Sequence, residues 1–311
     1  MEASGARMRL GRNRAPVSER TRSERRLGWL LCAPAVIAML LVTAYPIGYA
    51  VVLSLQDVDL RFPEEGGFVG LDNYVAVLTS ELWWTDLLNT VFIMVVTVAI
   101  ELVLGMLIAL VMYRAIFGRG LVRTVVLIPY GIVTVVAAFA WFYAFNPDTG
   151  FVNNLPLIGD ETSWFGERFS AFAVIILAEV WKTTPFMALL LLAGLTTIDS
   201  GLYEAARVDG ANAWQRFWKI TLPLMKPAIL VALLFRTLDA FRVFDTIFVM
   251  TRGALDTESI SIVGYNQLIA RLNLGLGSAV SVLIFLLVLA IAVVFVKGFG
   301  ATVPRTPGGS R

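Results

Sequence analysis

Seven ionisable residues sit inside apolar stretches of this 311-residue chain, and their spacing limits what they could do. Arg236, Asp239, Arg242 and Asp245 follow one another at three-residue steps with alternating sign. Glu179 and Lys182 are three apart, on one face if their stretch is helical. Glu101 stands alone. Carboxylates and cations in such places can neutralise one another, relay protons, or offer hydrogen bonds to a polar solute. Other chemistry is closed off. The chain has no histidine, so the commonest general base and metal ligand are missing. Its single cysteine, Cys32, can form neither an intrachain disulfide nor a cysteine-based zinc site. No Gly-x-x-x-x-Gly-Lys-[Ser/Thr] phosphate loop occurs, so ATP would have to be hydrolysed elsewhere.

A second constellation lies between residues 198 and 227. Asp199 or Ser200 can cap a short helix. Glu204 is expected in its first turn, where a negative charge suits the helix dipole. Ala205 and Ala206 leave a smooth surface. Asp209-Gly210 is a turn signal, with the glycine free to take a left-handed conformation. Trp214, Phe217 and Trp218 then form one apolar stripe at i, i+3, i+4. Pro223 and Pro227 are expected to end this second helix and begin the next apolar stretch. Two readings stay open: an amphipathic helix lying flat on a membrane, or a protruding helix pair that docks into a partner.

The elements that must position these residues are membrane spans. The chain is 58% hydrophobic and 15% charged, whereas soluble domains carry roughly 25% charged residues. Six apolar stretches, about 28–53, 88–112, 121–145, 169–197, 228–250 and 279–298, are each long enough to cross a hydrocarbon core. This excludes a soluble enzyme, a disordered chain and a disulfide scaffold. Residues 1–27, with eight arginines, read as a disordered basic tail, residues 28–300 as one transmembrane domain and 301–311 as a C-terminal tail. The basic residues choose the orientation. Those eight, with Arg114, Arg119, Arg123, Arg207, Arg216, Lys219, Lys226, Lys297, Arg305 and Arg311, fall on one side. Only Arg61, Arg168, Arg252 and Arg271 fall on the other. Both termini are therefore expected in the cytoplasm. Anionic membrane lipids would attract the basic tail, and a net charge of +2 leaves no nucleic-acid footprint.

The string Glu204-Ala205-Ala206, Asp209-Gly210-Ala211, Phe217, Ile220, Leu222-Pro223 and Pro227 resembles the cytoplasmic EAA loop of ABC-importer permeases. Phe68-Val69-Gly70-Leu71-Asp72-Asn73-Tyr74 and Asn146-Pro147-Asp148-Thr149-Gly150 resemble outside loops of their sugar-carrying members. Leu127-Ile128-Pro129-Tyr130-Gly131 and Ala178-Glu179-Val180-Trp181-Lys182 are similar to stretches of the group that carries trehalose.

The resemblance implies an all-α, type I (MetI-like) permease fold of six transmembrane helices. It implies a disaccharide such as trehalose as the solute. It implies a coupling helix in which Glu204 pairs with a basic group of an ATPase. Ala205, Ala206 and Gly210 would allow close approach there, and Asp209 would hold the turn. The partners implied are a second permease subunit, two copies of the ATPase carrying ATP and Mg, and an extracytoplasmic sugar-binding lipoprotein. No cofactor is implied for this chain itself. Glu101, Glu179, Lys182, Arg236, Asp239, Arg242 and Asp245 are candidates for a translocation path or gate, against mutual neutralisation as the plainer reading. The alternative function is a proton-coupled secondary transporter of a polar solute, in which the buried carboxylates titrate. A membrane enzyme would need a clustered acid and base, which scattered carboxylates do not supply.

Overall fold

The computed structural model describes residues 19–62, 64, 66–114, 119–155 and 163–298. The chain divides into two compact units, residues 1–49 and 50–311. Helix α1 (Glu19–Ser54) begins inside the segment read as a basic tail. Its stretch Arg26–Ser54 is long and apolar enough to span a membrane. Residues 1–18 and the C-terminal tail, 301–311, lie outside the described residues.

After α1 come a two-residue hairpin, β1 (Gln56–Asp57) antiparallel to β2 (Gly67–Phe68), and the short helix α2 (Asp72–Leu78). Asn73 ties this region together by donating its amide to the carbonyls of Ser54 and Gln56 at 3.0 and 2.9 Å. Three helices then form the centre of the second unit, α3 (Glu81–Arg114), α6 (Arg168–Leu195) and α9 (Leu222–Ala240), and α12 (Leu274–Gly298) packs at the side against α2 and α9.

One apolar cluster joins Met106, Ala109 and Met112 of α3 to Met187, Leu191 and Leu195 of α6 and Met225 and Ala232 of α9. A second lies nearer the start of α6 and includes Val174, Ile175 and Ala178. It also takes in Ala138 of α5 (Thr134–Ala144), Ile247 of α10 (Asp245–Met250) and Ile262 of α11 (Ile260–Tyr265). Small residues let the helices approach. A Cβ on Gly105 of α3 would sit 2.8 Å from Met187 Cγ on α6, and one on Gly194 would run into the methyl of Ala228 on α9.

Five helices of the described residues are long and apolar enough to cross a membrane, or six if one bent pair counts as a span. The bent pair corrects the reading of 121–145 as one plain span. It consists of α4 (Arg119–Gly131) and α5, which meet at 86°. Pro129 and Gly131 weaken the helix just before the bend. The stretch 228–250 also differs from expectation. Helix α9 stops at Ala240, and α10 starts only at Asp245.

The prolines do not act as expected either. Pro223 and Pro227 lie within α9, and the helical path runs into it from α8 (Ala213–Arg216) through a π turn, Phe217–Thr221. Pro223 is the second residue of α9, directly after the π turn, so its missing N–H falls where the hydrogen-bond spacing is already changing. The π turn, where Thr221 Oγ1 reaches back to the Arg216 carbonyl at 3.4 Å, absorbs the change in hydrogen-bond spacing.

Candidate functional site

The buried ionisable residues meet around one guanidinium. Arg236 on α9 is 1% exposed and Glu101 on α3 is 0% exposed. Arg236 Nε contacts Glu101 Oε2 at 2.5 Å and Nη2 contacts Oε1 at 2.9 Å, a bidentate pair. Arg236 Nη2 also lies 3.5 Å from Glu179 Oε2 on α6, and Nη1 contacts Asp239 Oδ2 at 2.6 Å. Thr183, one turn beyond Glu179, donates its hydroxyl to Glu101 Oε1 at 2.7 Å. Thr246 on α10 donates to the other oxygen of Glu179. Glu179 thus holds both sides of the break between α9 and α10.

This arrangement corrects the alternating series Arg236, Asp239, Arg242, Asp245. The four residues do not share one helix, because the chain leaves the helical path at 241–244. Arg236 and Asp239 pair, whereas Arg242 is exposed and forms no ion pair among the described residues. Glu179 and Lys182, although on one helix, do not pair with each other. Lys182 Nζ donates to the carbonyl of Ile132 at 3.0 Å and sits 5.7 Å from the centre of the Tyr130 ring. It therefore satisfies a carbonyl at the α4–α5 bend.

Beside these groups is a cavity of about 420 Å³. Glu179, Lys182, Arg236, Asp239, Arg242 and Asp245 line it, together with Tyr130, Thr134, Thr183 and Phe244. Glu101 is behind Arg236 and does not reach it. The lining holds three carboxylates and three cations, so it favours no net charge in a bound solute. The threonines, the tyrosine and the hydroxyl on Thr246 were not singled out by sequence reasoning. Thr183 carried a usable signal, being four residues after Glu179 and so on the same helical face. Two aromatics, Tyr130 and Phe244, reach the cavity. Trp141 and Trp181 line a separate apolar hollow.

The loop after α6 forms a compact hairpin of helices. Asp199 caps α7 (Ser200–Val208) by accepting from the Gly201 amide at 2.9 Å. Glu204 falls in the second turn of α7 and not the first, because the helix begins at Ser200. The helix ends on Asp209. The amide of Ala211 donates to the Ala206 carbonyl at 2.8 Å and that of Gly210 to Arg207 at 3.1 Å. Gly210 has φ +78°, as this C-terminal motif requires. Asn212 then caps α8, with a reciprocal pair of bonds to Gln215 at 2.8 and 2.9 Å. Tyr203 Oη and Thr221 Oγ1, 2.9 Å apart, tie the two limbs.

Glu204, Ala205, Asp209 and Gly210 are exposed and Ala206 is half-buried, so the five expected contact residues are accessible. Ala206, Asp209 and Gly210 border a notch of about 410 Å³ between the limbs. In the aromatic stripe, Phe217 packs against the α3–α6–α9 cluster, while Trp214 stays 69% exposed.

Comparisons with known proteins bear on the chain as a whole. The family model described as "Binding-protein-dependent transport system inner membrane component" matches residues 101–302. The chain is 54% identical to the trehalose transport system permease protein SugA of Mycobacterium tuberculosis, over 91% of each chain. It is 42% identical to the trehalose/maltose transport system permease protein MalF of Thermococcus litoralis, covering 88% of this chain and 94% of that one. Among solved structures, a bacterial ABC transporter involved in the import of the acidic polysaccharide alginate superposes with a TM-score of 0.77 at 26% identity, covering 91% of this chain and 99% of the other. The relatives are transport permeases and not enzymes. The chain therefore belongs to the inner membrane components of binding-protein-dependent transport systems, the permeases of ABC importers.

Proposed function

We propose that this permease forms half of the translocation path of an ATP-driven importer for a disaccharide such as trehalose. The cavity beside Arg236 carries the reading. It places balanced charges and hydroxyl groups between spans, which suits a neutral solute rich in hydroxyl groups. Relatives named for trehalose transport support the choice of sugar.

In this reading both termini and the 198–227 loop are cytoplasmic. The loop is the coupling element. Glu204 pairs with a basic group of the ATPase, Ala205, Ala206 and Gly210 let it approach, and Asp209 holds the turn. Two ATPase copies bind ATP and Mg, a second permease completes the path, and a sugar-binding lipoprotein delivers the solute outside. Closure of the ATPase pair shifts α7 and α8. Glu101, Glu179, Lys182, Arg236, Asp239, Arg242 and Asp245 then line or brace the path as it opens to one side and the other.

The test is uptake of labelled trehalose by vesicles containing the co-purified complex. Uptake should need ATP inside and the binding protein outside, and should survive an ionophore. Uptake that collapses with the proton gradient, or by this chain alone, would reject the proposal.

A further inference from the structure

The end of α3 and the 198–227 loop line a hollow of about 440 Å³, which Glu204, the expected coupling residue, borders together with residues to which the transport reading gives no role. Its floor is apolar: Met106, Leu107 and Leu110 of α3. Its rim carries three guanidinium groups, Arg114 at the end of α3, Arg207 on α7 and Arg216 on α8, against one carboxylate, Glu204. Arg216 spends one donor on the Ala211 carbonyl at 2.5 Å. Among the described residues, Arg114 and Arg207 form neither an ion pair nor a side-chain hydrogen bond, and both are exposed. Tyr113, Tyr203 and Trp214 complete the rim, residue types that sit at the headgroup level of a bilayer.

We propose that this hollow binds an anionic phospholipid of the cytoplasmic leaflet. Its phosphodiester is held by Arg114, Arg207 and Arg216, and one acyl chain lies on Met106, Leu107 and Leu110. The choice of leaflet rests on the orientation given above. Charge selects the headgroup, since guanidinium forks match phosphate oxygens and basic pockets at the cytoplasmic ends of spans suit anionic lipids. Depth selects a lipid over a soluble phosphate or a docked domain. Leu107 is seven residues before Arg114, which places the floor about 10 Å further along the span. A water-soluble group would have to leave water to reach that depth, whereas an acyl chain of the same leaflet already lies there and meets apolar side chains. A lipid so placed would bridge α3 to α7 and make the position of the loop depend on the charge of the leaflet.

The experiment uses the assembled importer purified in mild detergent, with retained phosphatidylglycerol and phosphatidylcholine quantified by mass spectrometry. Wild-type complex should retain phosphatidylglycerol selectively. Arg114→Gln should lower the retained amount about tenfold, the expected loss of one charge-assisted contact. Leu107→Trp, which fills the floor and keeps every charge, should lower it too. Arg123→Gln, on the exposed start of α4, should not. Melting temperatures matching wild type would show that the variants are folded. Equal retention in wild type and both variants overturns the proposal. So does displacement of the lipid by millimolar inorganic phosphate, which would mark a free-phosphate site. Sugar uptake plays no part in the readout, so an importer of a different solute would give the same lipid result.

Discussion

Arg236 grips Glu101 with two nitrogens at once, across 135 residues of sequence, with both side chains shut off from solvent. Removing either partner leaves a buried charge without its counter-charge, at a cost of about 3–5 kcal/mol. Glu101→Leu and Arg236→Leu should each lower the melting temperature of the purified complex sharply. The double variant should recover part of the loss, because Glu101 no longer sits buried without its counter-charge, while Glu179 and Asp239 still lose theirs. Losses that simply add in the double variant would contradict the pairing.

The cavity predicts a pattern of accessibility. With Cys32 replaced by serine, single cysteines at positions 239, 242 and 245 should react with a small water-soluble thiol reagent. A cysteine at position 101, behind the lining and unexposed, should react far more slowly. The solute should slow labelling at 239 and 242. Uniformly unreactive cysteines in every transport state would remove the cavity from the path.

Coupling should fail at Glu204 before anything else does. It is exposed and forms no contact that the fold needs. Glu204→Ala should therefore leave membrane levels and melting unchanged while uptake and solute-stimulated ATPase fall together. Gly210→Ala is the conformational counterpart. A Cβ there meets nothing within 4 Å, but φ is +78°, so the substitution costs about 1–2 kcal/mol of backbone strain. A partial loss of coupling is expected. Wild-type uptake by Glu204→Ala at equal expression would remove the loop from the mechanism.

Gly194 tests the packing of α6 on α9. Gly194→Ala would drive a methyl into Ala228, an overpacking worth about 1–3 kcal/mol. Ala228→Gly in the same chain should restore part of the lost melting temperature. A neutral Gly194→Ala would mean that the two helices do not meet there.

Glu258 sets a pH dependence. It is half-buried in the loop before α11 and accepts a hydrogen bond from Asn266 at 2.7 Å. Burial raises its pKa above the usual glutamate value, while the Asn266 bond and nearby Arg271 pull it partly back. A raised carboxyl pKa means that the folded chain binds the proton more tightly than the unfolded chain. The stabilisation is full below the unfolded value of about 4.3 and is lost as pH rises from there through the folded value. Melting temperature should therefore rise on acidification through that window. Glu258→Gln, which keeps an acceptor for Asn266, should flatten the rise. Identical slopes for the two proteins would dismiss Glu258 as its source.

Much of this was readable from residues, and the limits are physical. The length of the apolar runs foretold the long helices, and Asp209-Gly210 foretold the turn, because both are local. Glu101 and Arg236 were each marked as out of place, but a contact between helices so far apart leaves no trace in spacing. The alternating series from Arg236 to Asp245 assumed one unbroken helix, and the chain departs from it at 241–244. Lys182 was marked, yet its acceptor, the Ile132 carbonyl, exists only because α4 bends into α5. Pro223 was taken as a stop signal. It instead falls directly after a π turn that no propensity announces.

That π turn has a mechanical consequence. From Ala213 to Ala240 the backbone is one uninterrupted rod. Between Ala213 and Arg236 it is roughly 35 Å long. If a partner moves the loop as proposed above, the continuous helical path carries that displacement from Asn212 toward Arg236, and through its pair with Glu101 toward α3. The helical path breaks beyond Arg236, at 241–244, beside the cavity.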